Sequence, residues 1–164
     1  MSIKQSLLIE LERESDNTLR MLERLEGADF SWKPHPKSMS LGALANHIVE
    51  LHDWMSLVIT QSVLDFQKDY APMKLEDVSS LSTVLKSSVA ETKDIIENLD
   101  EALLFEDWTL QSGDYVIMTA PKIAAIRFVV NNHLIHHRGQ LSVYMRLLDI
   151  PVPGIYGPSA DEQQ

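Results

Sequence analysis

Apolar residues recur at helical spacing in four stretches of the chain. In the first, residues 2–26, Leu7, Leu8, Leu11, Thr18, Leu22 and Leu25 share one side, while Glu12, Arg13, Asp16, Arg20 and Glu23 fill the gaps. Gly27 ends it, and residues 28–37 read as a loop, because Pro34 and Pro36 lack an N–H and restrict their predecessors. Ser40 is a good N-cap for a second helix reaching about Ser62, with Leu44, Ile48, Leu51, Met55 and Val58 facing inward. A connection over 63–78 contains Pro72, and Ser79 or Ser80 then caps a third helix with the stripe Leu81, Leu85, Val89, Thr92, Ile96 and Leu99. Residues 108–118 hold two short β-prone runs around Ser112-Gly113-Asp114, which predicts a small β-hairpin. Thr119 opens a fourth helix with Pro121 in its first turn, running to about Leu148 ahead of Pro151 and Pro153. The turn-rich tail that follows is expected to fray at its end.

Four amphipathic helices without a repeat or a linker predict an all-α fold, a four-helix bundle, with one domain over residues 1–164. A chain of 164 residues, 45% of them apolar, can bury roughly 70% of its unfolded surface and needs no staples. The absence of cysteine excludes disulfides, cysteine metal ligands and a protein thiol nucleophile. Fourteen basic against twenty-four acidic residues give a net charge of -10 with no basic cluster, which argues against nucleic acid or an anionic membrane as partner. No apolar run approaches the roughly 20 residues of a membrane span, and the N-terminus has no leader pattern. The expectation is a soluble cytoplasmic domain that acts on a small molecule.

The candidate chemistry lies in six histidines: His35, His47, His52, His133, His136 and His137. On the fourth helix His133 and His137 project about 40° apart, on the stripe of Ile126, Val130, Leu141, Tyr144 and Leu148, so one ligand can be shared between them. His136 falls at the edge of that stripe. Two imidazoles buried side by side are costly to charge and hard to satisfy among apolar neighbours. A divalent metal on two neutral nitrogens removes the difficulty, and a polar seam with buried water is the other solution. A third ligand has to come from another helix. His47 and His52 flank the second stripe almost symmetrically, and periodicity does not choose between them. The zincin pattern is absent because Leu134 follows His133, and no Glu-x-x-His pair of the di-iron bundles occurs. The hydrolase elbow, the P-loop and the dinucleotide fingerprint are absent too.

Three segments resemble one family. Residues 32–47, Trp-Lys-Pro-His-Pro-Lys-Ser-Met-Ser-Leu-Gly-Ala-Leu-Ala-Asn-His, are similar to a loop that leads to a second-helix ligand. Residues 133–141, His-Leu-Ile-His-His-Arg-Gly-Gln-Leu, are similar to a fourth-helix signature, and residues 150–159 to a characteristic tail. In order and separation these resemble the DinB-like (DinB/YfiT) metal-binding four-helix bundles. The resemblance implies an up-down-down-up bundle, often a homodimer, with His47, His133 and His137 on one divalent metal; zinc or nickel come first, iron or manganese after. By the same resemblance His35, His52 and His136 are not ligands.

The family includes transferases and isomerases that use a low-molecular-weight thiol such as bacillithiol or mycothiol. Three neutral histidines leave open metal positions, as a catalytic site requires. A metal-activated cosubstrate thiol gives S-transfer and an activated water gives hydrolysis. A non-catalytic bundle that holds metal or ligand is the alternative. Tyr144, Gln140 and Glu50 are the candidate catalytic residues: Tyr144 as a donor, Gln140 and its neighbour Arg138 as orienting groups, Glu50 as a base or a partner of His47. Their plainer roles are a core tyrosine, a boundary amide, a solvated charge and a surface carboxylate.

Overall fold

The computed structural model describes residues 2–162. Its helices are α1 (Ile3–Glu23), α2 (Leu41–Thr60), α3 (Val78–Asn98), α4 (Lys122–Ala125) and α5 (Asn132–Leu147). A π-helical stretch, Ile126–Asn131, joins α4 to α5, so these form one long fourth helix. Contacts between helices fix their directions. Lys4 reaches the carbonyls of Glu97 and Leu99 while Lys93 pairs with Glu12, so α1 and α3 are antiparallel. Asn46 meets Leu75, just before α3, and Asp53 meets Ser88, so α2 and α3 run the same way. Lys122 donates to the Ile59 carbonyl and His133 lies beside His47, so the fourth helix opposes α2. The bundle is up-down-down-up.

The caps follow from side-chain chemistry. Ser2 and Gln5 form a reciprocal capping box, and the Ser40 hydroxyl accepts the Ala43 N–H at 3.1 Å. Helix α3 begins slightly earlier than its serines suggest: Asp77 is the cap, its carboxylate taking both the N–H and the O–H of Ser80. The inward residues of the second stripe, Leu44 to Val58, are all buried, as are most of those read on the first and third helices. The fourth stripe is out of phase with its straight-helix reading. Its buried positions include Ile126, Val130, Leu134, Arg138, Leu141 and Met145, of which the first four are four residues apart. A straight α-helix would lose that alignment over three such steps, and the wider π turn restores it. His133, His137 and Tyr144 consequently lie beside the core stripe and are only partly buried.

The β structure exceeds the expected hairpin. Strands β2 (Asp107–Ser112) and β3 (Tyr115–Pro121) pair antiparallel, and β1 (Val63–Asp65), from the connection over 63–78, adds in parallel to β2. Three residues are too few for an alternating pattern to register. What holds them is the Asp65 carboxylate, which accepts the backbone N–H groups of Gln67 and Gly113 at 3.0 and 2.9 Å and the Gln111 amide at 3.2 Å. These bonds hold its carboxyl well below the usual range. Gly113 turns the hairpin at φ +59°. Thr119 to Pro121 complete β3 by pairing with β2, so the fourth helix starts at Lys122 rather than at Thr119.

The tail is docked, contrary to the expected fraying. Arg20 binds the Gly154 carbonyl at 2.7 Å and Glu162 at 2.8 Å, and Arg146 pairs with Asp161 at 2.7 Å. Asp161 also takes the Val152 N–H at 2.8 Å, closing the turn. The last two glutamines lie outside the described residues. Among the described residues no helix is long and apolar enough to cross a membrane.

Candidate metal centre

His47 sits in the second turn of α2, and His133 and His137 occupy successive turns of α5, which packs against α2. Of the two α2 histidines, it is His47 that lies beside this pair. His47 Nε2 lies 3.4 Å from His133 Nε2, which lies 2.8 Å from His137 Nε2. The three ligand atoms all fall within 4.8 Å of one another.

Each ring is anchored through its far nitrogen to an oxygen. His47 Nδ1 lies 2.9 Å from Glu50 Oε2, and His137 Nδ1 lies 2.6 Å from Gln140 Oε1. His133 is hydrogen-bonded to the backbone of Val129, one turn earlier. Oxygens accept, so the proton of each ring belongs on Nδ1 and the lone pair on Nε2. Three lone pairs then converge on one point, an arrangement that repels itself unless a cation lies between them. Burial, reinforced by the neighbouring rings, pushes the His133 pKa down to about 4, and burial also lowers that of His137. Both are therefore neutral at pH 7, the form that ligates. A group of three histidines whose outer nitrogens are fixed by carboxylate, carbonyl and amide oxygens fits a divalent ion.

Glu50 is a buried carboxylate, 6% exposed, and not a surface one. Besides His47 it accepts the Tyr70 hydroxyl at 3.0 Å and the Met73 backbone N–H. Burial alone would raise its pKa, but the bonds from His47, Met73 and Tyr70 outweigh burial and leave it lowered, hence ionised. Trp54 stands edge-on to His47 and His133, with ring centroids 6.1 and 6.2 Å away, and packs against Phe66 and Tyr70. One side of the triad is thus an aromatic wall.

The remaining candidates separate clearly. Gln140 serves as the anchor of His137. Tyr144 spends its hydroxyl on the Met39 carbonyl at 3.3 Å and packs edge-on against Trp32. His35 lies on the exposed loop, and His136 is exposed with its ring centroid 5.0 Å from that of His137. His52 is fully buried, Nε2 3.1 Å from the Thr18 hydroxyl, with its pKa pushed down to about 3 by burial and then by the Arg138 charge. Arg138 is not a solvated charge: it is buried, donating to the Glu14 carbonyl at 2.7 Å and pairing with the Glu14 carboxylate, which also accepts the Tyr156 hydroxyl. Sequence reasoning missed this cluster and the role of Tyr70. The i,i+3 spacing of His47 to Glu50 and of His137 to Gln140 was the readable signal for the anchors; nothing local points to Tyr70.

A family model described as the DinB family matches residues 1–164. Among curated proteins, the chain is 27% identical over 152 residues to the uncharacterized protein YrdA of Bacillus subtilis (strain 168), covering 92% of this chain and 86% of the relative. It is 28% identical over 130 residues to the uncharacterized protein YjoA of the same strain, covering 79% and 80%. Among solved structures, the DinB-like YjoA of Bacillus subtilis superposes with a TM-score of 0.71 at 22% identity, over 93% of this chain and 99% of that one. A DinB-like protein from Bacillus cereus ATCC 10987 gives a TM-score of 0.70 at 24% identity, over 93% and 97%. At these identities the two structures bear on the fold alone.

Proposed function

Since the chain belongs to the DinB family, we propose that it is a mononuclear divalent-metal enzyme that transfers or isomerises small substrates with the help of a low-molecular-weight thiol. The observation that carries this reading is the convergence of three Nε2 atoms whose Nδ1 partners are all oxygens. When bound there, the metal would supply Lewis acidity, lowering the pKa of a small thiol or a water so that it can act as a nucleophile at neutral pH.

The chain's own residues do the positioning. Glu50, Gln140 and the Val129 carbonyl fix the three ring planes, so the ligand atoms need little rearrangement on binding. His133 and His137 stay neutral near pH 7 and the ionised Glu50 reaches the centre only through the far side of His47, so no protein anion would lie directly on the ion. An anionic ligand is therefore favoured beside it, and a thiolate is both anionic and soft enough for zinc or nickel. With no cysteine in the chain, that thiolate has to come from a cosubstrate. Water activation, giving hydrolysis, meets the same charge requirement and is the competing chemistry at this centre. The Trp54–Phe66–Tyr70 wall suits a substrate with an apolar portion. A homodimer completes the proposal, formed through the outer faces of α1 and the fourth helix, where Ile9, Phe128, Ile135 and Val143 are exposed.

Cobalt substitution tests the thiol. Titrating the cobalt protein with a small thiol should produce an intense charge-transfer band in the near ultraviolet. A spectrum that stays unchanged at saturating thiol, with cobalt still bound, removes the thiol reading and leaves hydrolysis or a non-catalytic site.

A further inference from the structure

The carboxylate that anchors His47 has a second function in the fold. The connection between β1 and α3 passes over α2 as an extended strap, and two α2 side chains one turn apart hold it. Glu50 accepts the Met73 N–H and the Tyr70 hydroxyl. Asn46 accepts the Leu75 N–H at 2.8 Å and returns its amide to the Leu75 carbonyl at 2.9 Å. Residues 73 and 75 alternate with 74 as in a strand, so both N–H groups face the helix. His47 stands next to Asn46 in sequence and three residues before Glu50, and its Nδ1 shares Glu50 Oε2 with Tyr70.

We infer that Glu50 is a positioning residue that couples metal binding at His47 to closure of the 66–77 strap. One buried carboxylate serves the ring and the strap together. Its four bonding directions are limited, and solvent reaches little of it. A cation on Nε2 of His47 polarises the ring and strengthens its Nδ1–H bond to Glu50, holding the carboxylate in the orientation that also receives Met73 and Tyr70. Coupling of this kind is reciprocal, so an ordered strap tightens the metal and the metal orders the strap. Tyr70 and Phe66, which wall the site beside Trp54, belong to the same strap. Metal loading would therefore also set the wall that substrate meets. This inference rests on the metal reading above.

The experiment uses the full-length protein with zinc as the probe and two readouts: zinc affinity by chelator competition, and hydrogen exchange of the residue 66–77 amides with and without zinc. In the wild type, saturating zinc should slow exchange at Met73 by about tenfold. Glu50→Gln, which keeps the shape and removes the charge, should weaken zinc about 10- to 100-fold. At zinc concentrations that still saturate this variant, the slowing at Met73 should be lost. If Glu50→Gln does not fold, the same readouts on Tyr70→Phe decide, with faster exchange at 70–73 in the zinc-loaded protein and weaker zinc binding expected. Unchanged affinity and exchange in the variants, or zinc that saturates the wild type without slowing the strap, overturns the coupling alone. A wild type that binds no zinc overturns the metal reading and the coupling together.

Discussion

At the residue scale, ring orientation distinguishes the six histidines. Only His47, His133 and His137 have Nε2 atoms facing one another while Nδ1 meets an oxygen. One metal per chain is expected by elemental analysis of the untagged protein, falling to near zero in His137→Ala and staying near normal in His136→Ala. The i,i+4 pair was legible in the sequence because both rings project to one side. His47 was not distinguishable from His52 by spacing, since both flank the same stripe and only the packing of α5 on α2 tells them apart. His52 carries its own consequence. In the fold it titrates at about 3, against about 6.5 in the unfolded chain. Between those values the unfolded chain binds a proton that the folded one refuses, so the stability contributed by neutral His52 is complete above pH 6.5 and is lost as the pH falls. Urea unfolding of the wild type should lose about 1 kcal/mol more than His52→Gln between pH 6 and pH 5. Parallel curves would show that His52 is solvated.

At the element scale, the fourth helix is the most informative and the least legible. Its end signals, Pro121 and Pro151, are plain in the sequence, yet the strand β3 consumes Thr119 to Pro121 before the helix can begin. The π stretch is invisible to a 100° projection, which is why Arg138 read as a substrate-orienting group or a solvated charge and is instead buried against Glu14. Sheet register was illegible for a different reason. The third strand depends on the carboxylate of Asp65 meeting residues almost fifty positions away, and such a bond has no local periodicity. The Glu14–Arg138 pair links α1 to α5, with Tyr156 of the tail closing over it. Removing one partner of a buried pair leaves the other charge uncompensated. Glu14→Ala should therefore lower unfolding stability by about 3 kcal/mol, whereas the double change Glu14→Ala/Arg138→Met, which removes both charges, should recover much of it. A double variant no more stable than Glu14→Ala would mean that packing and not charge decides the cost.

At the scale of the whole molecule, two tendencies oppose each other. Ile9 is 58%, Phe128 64% and Val143 56% exposed, on the outward sides of α1 and the fourth helix. Glu10 and Arg127, the neighbours of Ile9 and Phe128, pair at 2.9 Å across the seam between α1 and the fourth helix. Apolar positions of this kind on adjacent helices are suited to a two-fold contact, in which each copy offers the same patch to the other. Against this stands a charge of -10 on each chain, which makes two copies repel. The repulsion acts over the surface and is screened within a Debye length, about 10 Å at 0.1 M salt, while the apolar contact is not weakened by salt. Association should therefore tighten as salt is raised from about 0.02 to 0.5 M, opposite to a dimer held by ion pairs. Light scattering at micromolar concentration should give about twice the chain mass of 18.6 kDa at the higher salt. Phe128→Glu, which puts another negative charge on the exposed side of the fourth helix, should give the single-chain mass at every salt concentration. A wild type that stays monomeric throughout would rule out the dimer, and one that dissociates as salt rises would place the contact on charged residues instead of on this seam.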